Sequence, residues 1–280
     1  MSYSGSSKRL IDFATPNAKL TAREDTLKSR NWNHDELLAC FNLYCRIPFG
    51  KLHKTNPKIV EAAAALDRTP SAVAMKLVNF ASFDPAQRSR NVKGLVNVSR
   101  HDRALWEEFE ADPNSVAVKS EEAFDRFIRS DATWEEEIPV QPLGPTEKVL
   151  ARPMRLVQSF FRRTVLSSYC YRCSFCRLPI TALLSASHII PWSVSVELRA
   201  DPRNGLCLCA LHDRAFDRGL IAVDPSFCLV ISPKLRQKSP TAMHKIALLD
   251  LEGFRMDRPQ RFPPNPECLE HHRKSIFQAD

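Results

Sequence analysis

Glycine is scarce in this chain, with 7 residues in 280 against 20 prolines. That balance argues against a sheet-rich sandwich with many tight turns and for helices separated by stiff connections. Long apolar runs are missing too. No stretch approaches the ~18 apolar residues of a membrane-spanning helix, so no membrane partner is expected. The opening residues, MSYSGSSKRL, lack the apolar core of a secretory signal and read as a flexible tail on a cytoplasmic protein. With no signal and an odd count of nine cysteines, a disulfide framework is not expected.

What is present is an ordinary globular composition, 44% hydrophobic, with a formal charge of +8. The charge is unevenly placed. Residues 107–137 hold eleven acidic and three basic side chains, whereas residues 148–196 hold seven basic and no acidic ones. A basic block of that kind attracts polyanions, which makes nucleic acid the first partner to consider.

The chain divides into a tail (1–30), a helical segment (31–137), a linker (138–147) and a second domain (148–280). Asn33 is placed to cap a helix through DELLACFNLYC, with Trp32 before it, and Ile47-Pro48-Phe49-Gly50 breaks that helix. Asn56-Pro57 begins a second helix and Thr69-Pro70 a third. The tight turn at Asp67-Arg68-Thr69-Pro70 makes the last two a helix-turn-helix candidate, which would present Ser71, Lys76 and Asn79 to DNA. Arg88, Arg90, Lys93, Arg100 and Arg103 add basic surface. A further helix is expected over 101–110, and Pro139, Pro142, Gly144 and Pro145 mark the linker. A helix from about Glu147 to Ser168 then enters the second domain.

Five cysteines cluster between positions 170 and 209. Cys173-x-x-Cys176 is half of a tetrahedral thiolate site, and Cys209-Ala-Leu-His212 supplies the other half. The resulting Cys3His set suits structural Zn²⁺. Cys170 is a spare ligand within reach, and Cys207 reads as core. His244, His271 and His272 lie in a polar C-terminal stretch and read as surface residues.

Between and beyond these halves stand His188-Ile-Ile-Pro191-Trp192, then Asn204-Gly205, then Phe216-Asp217-Arg218-Gly219. In that order, the motifs resemble the HNH endonuclease family, and most closely its restriction endonuclease branch. The resemblance covers roughly 60 residues. It implies a C-terminal ββα-metal nuclease domain, so that with the all-helical N-terminal domain and its helix-turn-helix-like pair the protein is expected to be α+β. It further implies hydrolysis of DNA phosphodiester bonds, in restriction or phage defence, with Mg²⁺ or Mn²⁺ at the catalytic centre.

The family's roles fall on matching positions. His188 takes the place of the general base and Asn204 that of the asparagine that ties the hairpin together. Counting onward from Asn204, Cys209 and His212 take the zinc positions and Asp213 that of the catalytic metal ligand. The competing assignment gives His212 to the catalytic ion and leaves the zinc set incomplete. Asp217 would orient a ligand or the base, Arg218 would clamp the scissile phosphate, and Arg172 would contact DNA. Trp192 is expected to pack the domain rather than stack a base. One position departs from the family. Many members have aspartate or histidine immediately before the base as a second metal ligand, and this chain has Ser187. That departure leaves a second function open, a zinc-stabilised DNA-binding regulator with a weakened or inactive nuclease site. Cutting both strands with one-site domains takes two copies, so a homodimer is expected from the mechanism.

Overall fold

Capping residues set the helix starts of the N-terminal half. In the computed structural model, which describes residues 30–95, 98–128, 151–236 and 239–279, Asn33 and Glu36 form a reciprocal capping box at the head of α1 (His34–Arg46). Asn56 and Thr69 cap α2 (Pro57–Ala65) and α3 (Pro70–Ala81), each with proline in its first turn. Asp67, at φ 51°, makes the sharp turn between those two helices. A short α4 (Pro85–Arg88) leads to α5 (Arg100–Ala111) and α6 (Pro113–Phe127). The expected tail through residue 29 and the linker at 138–147 lie outside the described residues.

The helix-turn-helix candidate is present as a helix pair, but its expected reading face is not. Lys76 and Asn79, assigned to DNA, are buried at 6% and 2% exposure. Lys76 Nζ lies 2.8 Å from Asp102 Oδ1, and Asn79 Nδ2 donates to Asp102 Oδ2 at 3.0 Å. The apolar positions of α3 must face the core, and Asp102 of α5 draws both polar side chains inward with them. What α3 leaves exposed includes Ser71 and Met75, and this surface carries no charge. Arg88, Arg90, Lys93, Arg100 and Arg103 are exposed, as expected.

The link between the two halves is α7 (Ala151–Ser168). Its buried positions Val157, Phe160, Phe161, Thr164 and Val165 recur at helical spacing. Val157 and Phe160 join the helical core around Phe41, Tyr44, Phe80 and Phe109, together with Phe262 from the C-terminal segment. Phe161, Val165 and Leu166 face a second core around Phe175, Leu206, Leu208 and Phe216. Glu121 of α6 pairs with Arg46 of α1 at 2.7 Å and with Arg163 of α7 at 3.0 Å.

The second core is built on β1 (Leu184–His188) and β2 (Gly205–Cys209), followed at once by α8 (Ala210–Asp217). The strands are antiparallel, pairing Leu184 with Cys209 at one end and His188 with Gly205 at the other. A second hairpin, β3 (Ile221–Val223) with β4 (Leu229–Ile231), packs beside α8. Two further helices follow, α9 (Ala242–Ala247) and α10 (Pro266–Ser275). Asn204-Gly205 does not form the hairpin turn, because residues 189–204 make the connection as a long loop. Gly205 is needed for another reason. A Cβ there would lie 2.5 Å from Val165 Cγ2 and 2.9 Å from Phe161 Cζ, so glycine is what lets β2 approach α7.

Candidate active site and metal centre

The knuckle at 173–178 is shaped by its own backbone. Cys173 N–H donates to Leu178 O, Arg177 N–H donates to Cys173 O, and Arg177 sits at φ 64°. Cys209 ends β2 and caps α8, which places His212 on the first turn of that helix, facing the knuckle. The four donor atoms of Cys173, Cys176, Cys209 and His212 all lie within 4.8 Å of one another. Cys209 Sγ is 3.2 Å and Cys173 Sγ 3.5 Å from His212 Nδ1, and Cys176 Sγ is 3.9 Å from Cys209 Sγ. Tetrahedral Zn²⁺ at its usual bond lengths has edges of roughly 3.5–3.8 Å, so the donor set fits such an ion. His212 Nε2 lies 2.9 Å from the Ala247 carbonyl. A carbonyl only accepts, so Nε2 carries the proton and Nδ1 keeps its lone pair for the metal. Hydrogen bonds shared within the cluster push the Cys209 thiol down and the Cys176 thiol up. Cys207 is core and Cys170 stands outside this cluster.

The other end of the hairpin carries His188, four residues and so about 13 Å along the strand from the Leu184–Cys209 end. Its ring lies flat on Phe161, with centroids 3.7 Å apart, and meets Trp192 edge-on at 5.5 Å. Its Nε2 lies 3.0 Å from the Arg199 carbonyl. The same acceptor argument puts the proton on Nε2 and leaves Nδ1 as the basic nitrogen. Burial, with help from the Arg199 charge, lowers the His188 pKa to about 4, so the ring is neutral at pH 7.

Asn204 is 1% exposed and ties the loop to the strand end. It accepts from Ile190 N–H at 2.8 Å and donates to the Ile190 carbonyl at 3.1 Å. Arg199 stacks its guanidinium on Trp192 at 4.7 Å and donates to the Trp192 carbonyl. The loop that presents the His188 acceptor is thus held at both ends. The Phe161 ring, the Arg199 carbonyl and the Ala247 carbonyl have no counterpart in the sequence reading. Two are backbone atoms, whose identity no side chain announces, and Phe161 is one of several aromatic residues on an amphipathic helix.

From the cysteine-rich end, α8 runs back alongside β1 and carries Asp213 and Asp217, one turn apart. Asp213 is half-buried and Asp217 keeps much of its surface in solvent. Partial withdrawal of the Asp217 carboxyl from water, together with the neighbouring Asp213, pushes its pKa up to about 6 against the opposing Arg214 and Arg218. Ser187 is buried at 4% exposure, and its hydroxyl has no hydrogen-bond partner among the described residues. Arg172 and Arg218 are exposed. His272 is not a surface residue: it is 1% exposed, stacked on Phe216 with centroids 3.7 Å apart, because α10 folds back over α8 and β3.

This arrangement can do two separate things. One end of the ββα unit can clamp a soft metal ion, and the other offers a neutral imidazole with a basic nitrogen. Residues 173–224 match a family model described as HNH endonuclease. This segment is thus similar to the HNH endonuclease family, and the helical segment lies outside the match. Among curated proteins, none matches the chain. Among the described residues, no helix is long and apolar enough to cross a membrane.

Proposed function

We propose that this chain, carrying an HNH endonuclease segment at 173–224, hydrolyses phosphodiester bonds of double-stranded DNA with the help of a divalent ion. The observation that carries this reading is the His188 hydrogen bond to the Arg199 carbonyl, which leaves Nδ1 unprotonated on a ring that is neutral at pH 7. His188 Nδ1 accepts the proton of the attacking water. Asn204 holds the loop so that the imidazole keeps its orientation. Asp213 holds Mg²⁺ or Mn²⁺, whose charge, when bound, stabilises the transition-state phosphate and the leaving oxygen. Arg218 and Arg172, both exposed, contact the DNA backbone. Cys173, Cys176, Cys209 and His212 hold Zn²⁺ as a structural ion, which assigns His212 to zinc and leaves Asp213 to the catalytic ion. Cutting of both strands uses a homodimer, and a restriction or defence role in the cytoplasm accounts best for a nuclease joined to a helical segment.

The experiment is a cleavage assay on modified and unmodified duplex DNA, with Mg²⁺, Mn²⁺ or EDTA. The wild type should cut and His188→Ala should not. Metal-dependent cutting that survives His188→Ala sinks the catalytic assignment. Ser187 favours a second reading, a zinc-stabilised DNA-binding regulator, since it stands where a second metal ligand is expected. A wild type that shifts duplex DNA in a gel but cuts it with no metal supports that reading instead.

A further inference from the structure

The outward surface of α3 carries no charge, so the helical half must meet a polyanion elsewhere if it meets one at all. The packing of the C-terminal segment builds such a place. Residues 254–262 run as a strap between the two halves. Met256 N–H donates to the Phe227 carbonyl at 2.9 Å, and Asp257 N–H donates to the Ser174 carbonyl at 2.8 Å. Further along, Gln260 N–H donates to the Ser168 carbonyl at 2.8 Å, and the buried Gln87 of α4 donates to the Gln260 carbonyl. Phe262 N–H then donates to Asp84 Oδ2 at 2.9 Å. The end of α1 is drawn to the same junction. The buried Arg261 donates to the carbonyls of Tyr44 and Cys45, and Tyr171 Oη donates to the Arg46 carbonyl at 3.4 Å. Four stretches far apart in sequence, 47–56, 85–93, 169–177 and 254–262, are therefore anchored around one junction.

Their charge is one-sided. Together they hold ten basic side chains and one acidic one, Asp257. Arg177 occupies that carboxylate through Nε and Nη2 at 3.0–3.2 Å. Lys51, Arg88, Arg90, Arg172, Arg255 and Arg258 are exposed, and none forms an ion pair among the described residues. Aromatic rings hold two of them instead. The Arg258 guanidinium lies over Phe227 at 4.2 Å and that of Arg90 over Phe49 at 5.5 Å. A ring takes a guanidinium by its face and leaves the in-plane N–H donors for an anion. Arg255 and Arg258 also line a groove of about 440 Å³ with Phe227 and Cys228.

We propose that this junction is a second DNA-binding surface, one that takes the phosphate backbone of a duplex across both halves of the protein. Unpaired arginines presented by separate elements suit the closely spaced phosphates of a duplex, where a single small anion would call for one compact pocket. Lys51, Arg88, Arg90, Arg255 and Arg258 all lie outside the residues matched to the nuclease family. The inference deepens the nuclease reading and rests on it for the choice of duplex DNA as the occupant. Backbone contacts carry no base information, so the surface grips and orients the duplex without selecting a sequence.

The test is binding of a short fluorescent duplex to the full-length protein across a salt series, with no divalent ion added so that no cleavage is needed. Arg255→Gln with Arg258→Gln, and separately Arg88→Gln with Arg90→Gln, should each weaken binding about tenfold and lower the slope of log affinity against log salt by roughly two. Lys119→Gln with Lys274→Gln removes the same charge outside the junction and should change neither quantity. The losses should be equal on duplexes of unrelated sequence. In the wild type, where folding is not in question, bound duplex should shield these four arginines from a dicarbonyl reagent, read by mass spectrometry. Wild-type affinity and slope in either arginine pair, an equal fall in the lysine pair, unshielded arginines, or no duplex binding by the wild type each overturns the proposal. Cleavage is followed separately: a wild type that binds through these arginines but cuts with no metal refutes the nuclease reading and leaves the surface standing.

Discussion

The His272 ring lies flat on Phe216 and its Nε2 is 3.0 Å from the Phe216 carbonyl, while Nδ1 has no partner among the described residues. Burial lowers its pKa from the usual 6.5 to about 4. The unfolded chain therefore binds the proton first, so the stability that the neutral ring contributes is complete above pH 6.5 and is lost as the pH falls toward 4. The loss is on the order of 3 kcal/mol. Urea unfolding at about pH 7.5 and about pH 5 should show about 2 kcal/mol of it, and His272→Gln, whose amide can still donate to Phe216, should remove that share while the equal shift of His188 remains. A variant with the wild-type slope would show that His272 is not the group responsible. Asn204→Ala removes both hydrogen bonds to Ile190 and should cost about 2 kcal/mol. If the loop orients His188 as proposed, kcat should fall much more than KM changes. The motif residues could be recognised in the sequence because their chemistry is in their side chains. His272 could not, because its burial is decided by Phe216, far away in the chain.

Elements differ in how openly the sequence announces them. The starts of α1, α2 and α3 could be read directly, since an asparagine or threonine cap acts on the two or three residues that follow it. That Lys76 and Asn79 turn inward with the apolar face of α3 could not be read, because their partner Asp102 lies on α5. Gly205 was legible as a glycine of consequence, but its reason lies in α7, whose Val165 and Phe161 leave no room for a methyl group. Gly205→Ala should accordingly cost about 1–3 kcal/mol and disturb the ring under His188, seen as a lower melting temperature and slower cleavage. The ββα unit is small, and one zinc would join the 173–176 knuckle to the start of α8. Stripping the metal with a strong chelator should lower the melting temperature by about 10 °C or more and expose the three cysteine ligands to thiol reagents. An unchanged melting curve after verified metal loss would refute the structural role.

At the scale of the whole molecule, Glu121 joins three helices by accepting from Arg46 and Arg163 and from Asn42 in a buried setting. Glu121→Ala leaves two guanidinium groups without their carboxylate and should cost about 3–5 kcal/mol, measurable by denaturant titration. The loss should appear in both cores at once, because α7 belongs to both. Adjacent side chains on that helix, about 100° apart, reach different cores, Phe160 the helical one and Phe161 the one beneath His188. Two rings on one rigid rod behave like marks on a ruler. If the helical segment grips DNA, the place where the strand is cut lies at a constant number of base pairs from the grip, and sequencing the fragment ends would give one sharp offset rather than a spread.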